Sequence, residues 1–584
     1  MKLMRPVALL LALLLSAAFA KPVQYTTTID YLDYVFFDHS GPKEYYSLEL
    51  YEQRIRELAE MGITQINLRV NCMGMALHPS KLLPRYGEEG RWHYNDRPNS
   101  MRLIETLKHY DPVGETIRLG HKYGMQVWCW ENIIDESFWW NADAQEDAEA
   151  QALCRKHNGW PMLDPFFAAH PECWAMRKPE PAEALQRKLE EARKYPVGRI
   201  VFTAYTTDRP TINFGKDDIE LLVSEDNATY TRYAGPWTFS CGQDAEGHNY
   251  IEIGGLAVSA RYIKVVPVKP FGADHTWTLA IIGYDFGRLY NTHGDLIPAD
   301  WGFHIPLVNA WQPMPPGALP ETVPYHERSS LNFNSAPSMA FDAEDRQIGC
   351  AVGYSMRDPY FRGVVEFCNP AAKKRLQERF QEYADYPFDG YIMSMNCHSN
   401  SSEPDIYSYN PAVRDRIMKR LGKDIWKDDV PLEELIKERQ AGLCDYLEGC
   451  KQQIGARPML VEGWGAAGAP VPYGRDNYGS VYPDYARLIR NGTIEGVLMY
   501  YDFAAYFTPE VTGGRAVRLG LYYDLGKRAF FLPASKELLF SGDFAAAMDW
   551  YTAQGKFDLI DLYETVCLSH NAKMQETLKA KTGK

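Results

Sequence analysis

The chain has 584 residues and a formal net charge of -14, with no basic run, which argues against nucleic acid and anionic membrane surfaces as partners. Its length calls for two or three folded units rather than one small domain. Aromatic residues reach 13%, with 38 Tyr and 14 Trp, a surplus that suits stacking on the apolar faces of sugars.

Residues 1–20, MKLMRPVALLLALLLSAAFA, place Lys2 and Arg5 ahead of an apolar run ending in Ala18, Phe19 and Ala20. That is the pattern of a secretory signal peptide, so an exported protein, periplasmic or extracellular, is expected. No later segment approaches about 18 uninterrupted apolar residues, and no membrane insertion is expected. The 11 Cys show no CxxC pair and no Cys/His cluster at zinc spacing, so they read as mostly buried thiols. No metal and no cofactor is expected.

In chain order, Tyr34–Asp38 (YVFFD) reads as an apolar strand. A helix capped by Ser47 follows, with Leu48, Tyr51, Ile55 and Leu58 on one face and a stop at Gly62. Gln65–Asn71 is the next strand. Asp111 and Pro112 open a helix that Gly124 closes, and Met125–Trp130 is a third strand, ending in Glu131 and Asn132. Strand, helix, strand with short connections is a parallel crossover.

From Val197 the period shortens. Arg199–Tyr205, Ile219–Ser224, Tyr250–Ile253, Arg261–Val268 and Thr276–Asp285 read as strands of an all-β insert. After a Pro-rich connection, Asn369-Pro370 and Asn410-Pro411 start helices, and Phe388–Met395 and Pro458–Glu462 read as strands. IEGVLMYYD, ending in Asp502, is another. The expected fold is therefore an α/β (β/α)8 TIM-type barrel in two parts, 21–190 and 291–535. A β-sandwich insert at 191–290 interrupts it, and a helical tail at 536–584 follows.

Two stretches carry family resemblances. IELLVSEDNATYTRY, SARYIKVVPV and LAIIGYDF resemble the discoidin, or factor five/eight type C, jelly rolls called galactose-binding-like. That likeness implies an insert that binds glycan or braces its neighbour. FCNPAAKKRLQERFQEYADYPFDGYIMSM and YSYNPAVRDRIMKRLGKDI resemble glycosyl-hydrolase-like barrels related to the α-amylase clan. There an Asn-Pro helix leads into an Asp-Gly strand that carries the nucleophile. Here Asp389-Gly390 is followed by Ser394 at the nucleophile position. Glu462 falls on the next strand, where the resemblance implies the acid, and Asp502 on a later strand, where it implies another carboxylate.

Glycoside hydrolysis needs two carboxyl groups across the anomeric carbon. The candidates at strand ends are Asp38, Glu131, Glu462 and Asp502. Glu462 is read as the general acid because Trp464 beside it offers desolvating surface, with Glu131 or Asp502 as partner in an inverting arrangement. Asp38, Arg69, Asn71, Trp130, Asn396, His398, Trp464 and Tyr501 are read as substrate-binding. The bland alternatives are that Asp38 caps a turn, Glu131 pairs with Arg69, and Asp502 only binds sugar hydroxyls. The expected function is an exported glycoside hydrolase with a glycan substrate; nothing in the sequence sets an oligomeric state. Its rival is a non-catalytic carbohydrate-binding or scaffold protein on a degenerate barrel, favoured by Ser394.

Overall fold

The computed structural model describes residues 23–30, 45–72, 74–88, 97–133, 164–176, 194–203, 215–225, 229–243, 249–260, 262–267, 288–297, 347–353, 360–395, 407–463, 483–502, 516–522, 559–563 and 572–584, with a few shorter stretches between them. Eight described strands close a ring: β1 (Gln24–Ile29), β2 (Gln65–Arg69), β3 (Gln126–Asn132), β4 (Gly390–Ser394), β5 (Met459–Gly463), β6 (Gly496–Asp502), β7 (Ala516–Tyr522) and β8 (Leu559–Tyr563). Neighbours run parallel except at β7, which is antiparallel to both β6 and β8. This mixed α/β architecture, dominated by a curled parallel sheet, is compatible with a TIM-like barrel and departs from an all-parallel ring at β7.

The helices form where the caps predicted them. Ser47 accepts the Leu50 N–H ahead of α1 (Leu48–Glu60), and Asp111 accepts the Val113 N–H ahead of α2 (Pro112–Lys122). Asn369 caps α3 (Pro370–Ala384) through two backbone donors, and Asn410 caps α4 (Pro411–Leu421). α5 (Leu432–Ile454) precedes β5.

β1 to β5 and β8 are buried on both faces, as strands covered by helices are. Outward, Val127, Cys129, Tyr391, Met393, Met459 and Val461 join helix residues such as Ile55, Ile117, Leu376 and Leu443 in one core. Inward, Trp128, Trp130, Ile392, Leu460, Leu498 and Leu559 form a separate cluster that fills the lumen. The two clusters divide strand residues by parity, and that parity fixes which strand-end side chains reach a barrel site.

The Asp389-Gly390 pair belongs to the opposite end of the barrel. Asp389 Oδ2 accepts from the Val127 N–H at 2.7 Å and lies 2.9 Å from His121 Nε2, tying β4 to β3 and α2. A Cβ on Gly390 would stand 2.5 Å from the Trp128 indole. Gly390→Ala is therefore expected to cost about 1–3 kcal/mol as an overpacking change. Thermal denaturation checks this, and a variant melting with the parent would contradict the packing.

Three sequence-based expectations change. The strand paired with β2 is Gln24–Ile29, and Tyr34–Asp38 lies outside the described residues. Gln24–Ile29 escapes an apolar search because Thr26 and Thr28 are buried polar residues satisfied by a carboxylate. Leu559–Tyr563, inside the span expected as helical tail, is the closing strand, parallel to β1. Its five residues are too few to show a period when both faces are buried, while Ala572–Thr582 is helical as expected.

The all-β unit also runs past 290. Arg288–Asn291 pairs with Val197–Thr203, and Gln347–Gly353 pairs with Tyr262–Pro267. Two antiparallel sheets result, one built on Val197–Thr203 with Asn249–Gly254 and Thr238–Gln243, the other on Ile219–Ser224 with Tyr262–Pro267. Thr276–Asp285 lies outside the described residues. Finally, Trp174–Met176 pairs antiparallel with Tyr360–Val365, so the chain leaves the barrel and returns to it side by side. Neighbouring ends are what allow an insertion without disturbing its host.

Candidate functional site

Glu462 is the next-to-last residue of β5 and shares the parity of Leu460, so its side chain points into the lumen, fully buried. Trp130 on β3 donates its indole N–H to Glu462 Oε2 at 3.1 Å. Ser394, the last residue of β4 and paired in register with Glu462, donates its hydroxyl to the same oxygen. The indole against Glu462 is thus Trp130, which hydrogen-bonds the carboxyl; Trp464 lies outside the described residues.

Arg69 ends β2 on the lumen side. It is paired with Asp30, which directly follows β1, and its Nε–H donates to the Asn71 carbonyl at 3.0 Å. Its guanidinium carbon lies 5.7 Å from the centroid of the Trp130 ring. A buried cation over an indole is attracted by the ring quadrupole, so Asp30, Arg69, Trp130, Glu462 and Ser394 make one continuous assembly across five strands. Asn71 locks the rim: its Nδ2–H donates to the Asn132 carbonyl at 3.0 Å and its Oδ1 accepts the Asn132 N–H at 3.1 Å.

Nearer the N-terminal ends, Asp561 of β8 accepts from Thr26 at 2.8 Å, Thr28 at 2.6 Å and Asn67 at 2.8 Å. All four are buried. Three donors aimed at a buried carboxylate stabilise its charged form, and they tie β8 to β1 and β2.

Glu131 does not join the site. It has the parity of Val127 and Cys129, which face the helices, and it meets Arg379 of α3 at 3.4 Å with both side chains fully buried. The ion pair sits among Cys129, Tyr383, Tyr446 and Cys450. Burial pushes these thiols and phenols well above their ordinary range, and the Glu131 charge adds to it. Glu131 is a strand-to-helix pair, neither a barrel carboxyl nor a partner of Arg69 in the lumen. Its place at the end of a strand concealed this, because one residue of parity separates the two faces.

Asp502 ends β6, the strand beside β5. Glu462 pairs with Leu498, so the Asp502 backbone lies four residues further along, roughly 13 Å toward the C-terminal end. The side chains of Asp502 and Tyr501 lie outside the described residues, as do Asp38, Asn396 and His398. Sequence reasoning missed Asp30 and Asp561. Asp30 closes a run of three threonines and an isoleucine, the one signal that could have marked it, while Asp561 sits on a strand with no period of its own.

Among the described residues no three His, Cys, Asp or Glu are grouped to hold a metal, and no helix is long and apolar enough to cross a membrane. Cys129, Cys173, Cys368, Cys444 and Cys450 are free and buried, and Cys241 is free and exposed. Burial pushes the Cys173 thiol up to about 12 and the Cys444 thiol up to about 11.

No protein-family model matches this chain, and no curated protein matches it. Among solved structures it is similar to the alpha-L-fucosidase isoenzyme 2 from Paenibacillus thiaminolyticus, at 10% identity and a TM-score of 0.27. The match covers 75% of this chain and 32% of that one, so this chain spans about a third of the fucosidase. A likeness of that size settles neither fold nor function.

Proposed function

We propose that the protein is an exported glycoside hydrolase that cleaves glycosidic bonds in a polysaccharide or glycoconjugate, with Glu462 as one of its two carboxyl groups. One observation carries the reading: Glu462 projects into the lumen at the C-terminal end of a parallel barrel strand, where barrels of this kind keep their chemistry. Asp502, which ends the adjacent strand, and Asp38 are the acids that remain as candidates for the second carboxyl. The Arg69–Asp30 pair and Asn71 orient substrate hydroxyls, and Asn396, His398, Trp464 and Tyr501 complete the substrate-binding set. The two antiparallel sheets suit a galactose-binding-like insert that binds glycan or braces the barrel. Residues 1–20 act as the export signal.

A second reading, a non-catalytic glycan-binding or scaffold barrel, is favoured by the complete burial of Glu462 and by the two donors on its Oε2. The test is a screen of the mature protein against polymeric glycans and aryl glycosides, reading released reducing ends and aglycone. Turnover supports the hydrolase. Saturable glycan binding without turnover on any member supports the scaffold.

A further inference from the structure

We propose that Glu462 enters the reaction ionised, and that Ser394 and Trp130 are the positioning residues that hold it so. This deepens the hydrolase reading, on which the word reaction rests, and it reverses the acid role that the sequence suggested. The indole N–H of Trp130 can only donate. It points at Glu462 Oε2, and the Ser394 hydroxyl points at the same atom. The carbonyl oxygen of a carboxylic acid can also take two donors, but each of these bonds is stronger to an anion, so two donors on Oε2 favour the charged form over the neutral one.

The donors are fixed by the fold rather than by chance rotation. Ser394 stands opposite Glu462 in the β4–β5 register, and Trp130 is wedged in the lumen cluster with Arg69 beside its ring. The Arg69 charge also favours an anion at Glu462. Against it stand Asp30, already paired with Arg69, and Asp561, engaged by Thr26, Thr28 and Asn67. Among the described barrel strands, Arg518 of β7, in register with Asp561, and Asp502 of β6 fall on the same parity of their strands and are the other charged residues at lumen positions. Ser394 is thus part of the carboxylate's setting rather than a lost nucleophile.

In the chemical step an ionised Glu462 either bonds to the anomeric carbon or takes the proton of the water that does. The bond to the leaving oxygen breaks with its electron pair, and that oxygen takes its proton from the second carboxyl group, which is protonated.

The test compares wild type, Ser394→Ala and Ser394→Thr. Removing a donor from a carboxylate favours its protonated form, so the ionised form survives only at higher pH. Ser394→Ala is expected to move the acidic limb of the kcat/KM profile up by about one pH unit, lower kcat roughly tenfold with little change in KM, and be restored by Thr. Movement of the basic limb instead would make Glu462 the acid, and movement of neither would make Ser394 merely structural; both overturn the proposal. A second readout needs no turnover: the carbon-13 carboxyl resonance of Glu462, assigned as the one missing from Glu462→Gln. An ionised resonance at neutral pH, with a midpoint raised in Ser394→Ala and restored in Ser394→Thr, supports the proposal even where no glycoside is cleaved and the hydrolase reading has failed. A protonated resonance at neutral pH, or an unmoved midpoint, overturns it.

Discussion

Glu462→Gln is expected to lower turnover of every glycoside the protein cleaves by roughly a hundredfold or more, the usual scale for losing a positioned carboxyl in acid–base chemistry. The substitution is nearly isosteric, and the amide carbonyl can still accept from Trp130 and Ser394, so folding is expected to survive. What disappears is the charge. Because an ionised Glu462 acts on the anomeric carbon or on water rather than on the leaving group, glycosides with good and poor leaving groups suffer alike. Initial rates on a dinitrophenyl glycoside and on an unactivated one separate the roles: a loss confined to the poor leaving group would mark Glu462 as the acid.

Glu131→Ala is expected to act on stability instead. Glu131 and Arg379 are both fully buried, so removing the carboxylate takes a buried ion-pair partner from the guanidinium inside the helix layer. Breaking a buried pair in this way costs about 3–5 kcal/mol, whereas replacing both partners with apolar residues is often neutral or better. The paired variant Glu131→Leu with Arg379→Met is therefore expected to recover most of the loss. Thermal and urea denaturation check the pair of outcomes. A Glu131→Ala protein as stable as its parent would show that the pair contributes nothing to the strand-to-helix contact.

Local signals were legible wherever chemistry is local. Ser47, Asp111, Asn369 and Asn410 cap the helices their sequence context indicated, because an N-cap is decided by a side chain and the next two or three backbone N–H groups. Direction across the sheet was not legible. Glu131 and Glu462 both follow apolar residues near the ends of parallel strands, yet one faces the helices and the other the lumen. With both faces buried, Val127 and Cys129 read no differently from Trp128 and Trp130, and no alternation of polar and apolar residues tells inside from outside. The barrel's two terminal strands were hidden for related reasons. β1 carries Thr26 and Thr28 inward because Asp561, more than five hundred residues away, accepts from them, and β8 is recognisable as a strand only once β1 and β7 flank it.

The most direct measurement is turnover of the first glycan substrate found, by the wild-type protein, Glu462→Gln and Glu131→Gln side by side, each normalised to folded protein. The proposed function predicts turnover by the wild type, roughly a hundredfold loss in Glu462→Gln, and near-parent rates for the folded fraction of Glu131→Gln. Parent-like activity of Glu462→Gln, with the loss falling on Glu131→Gln, would contradict a lumen chemistry centred on Glu462.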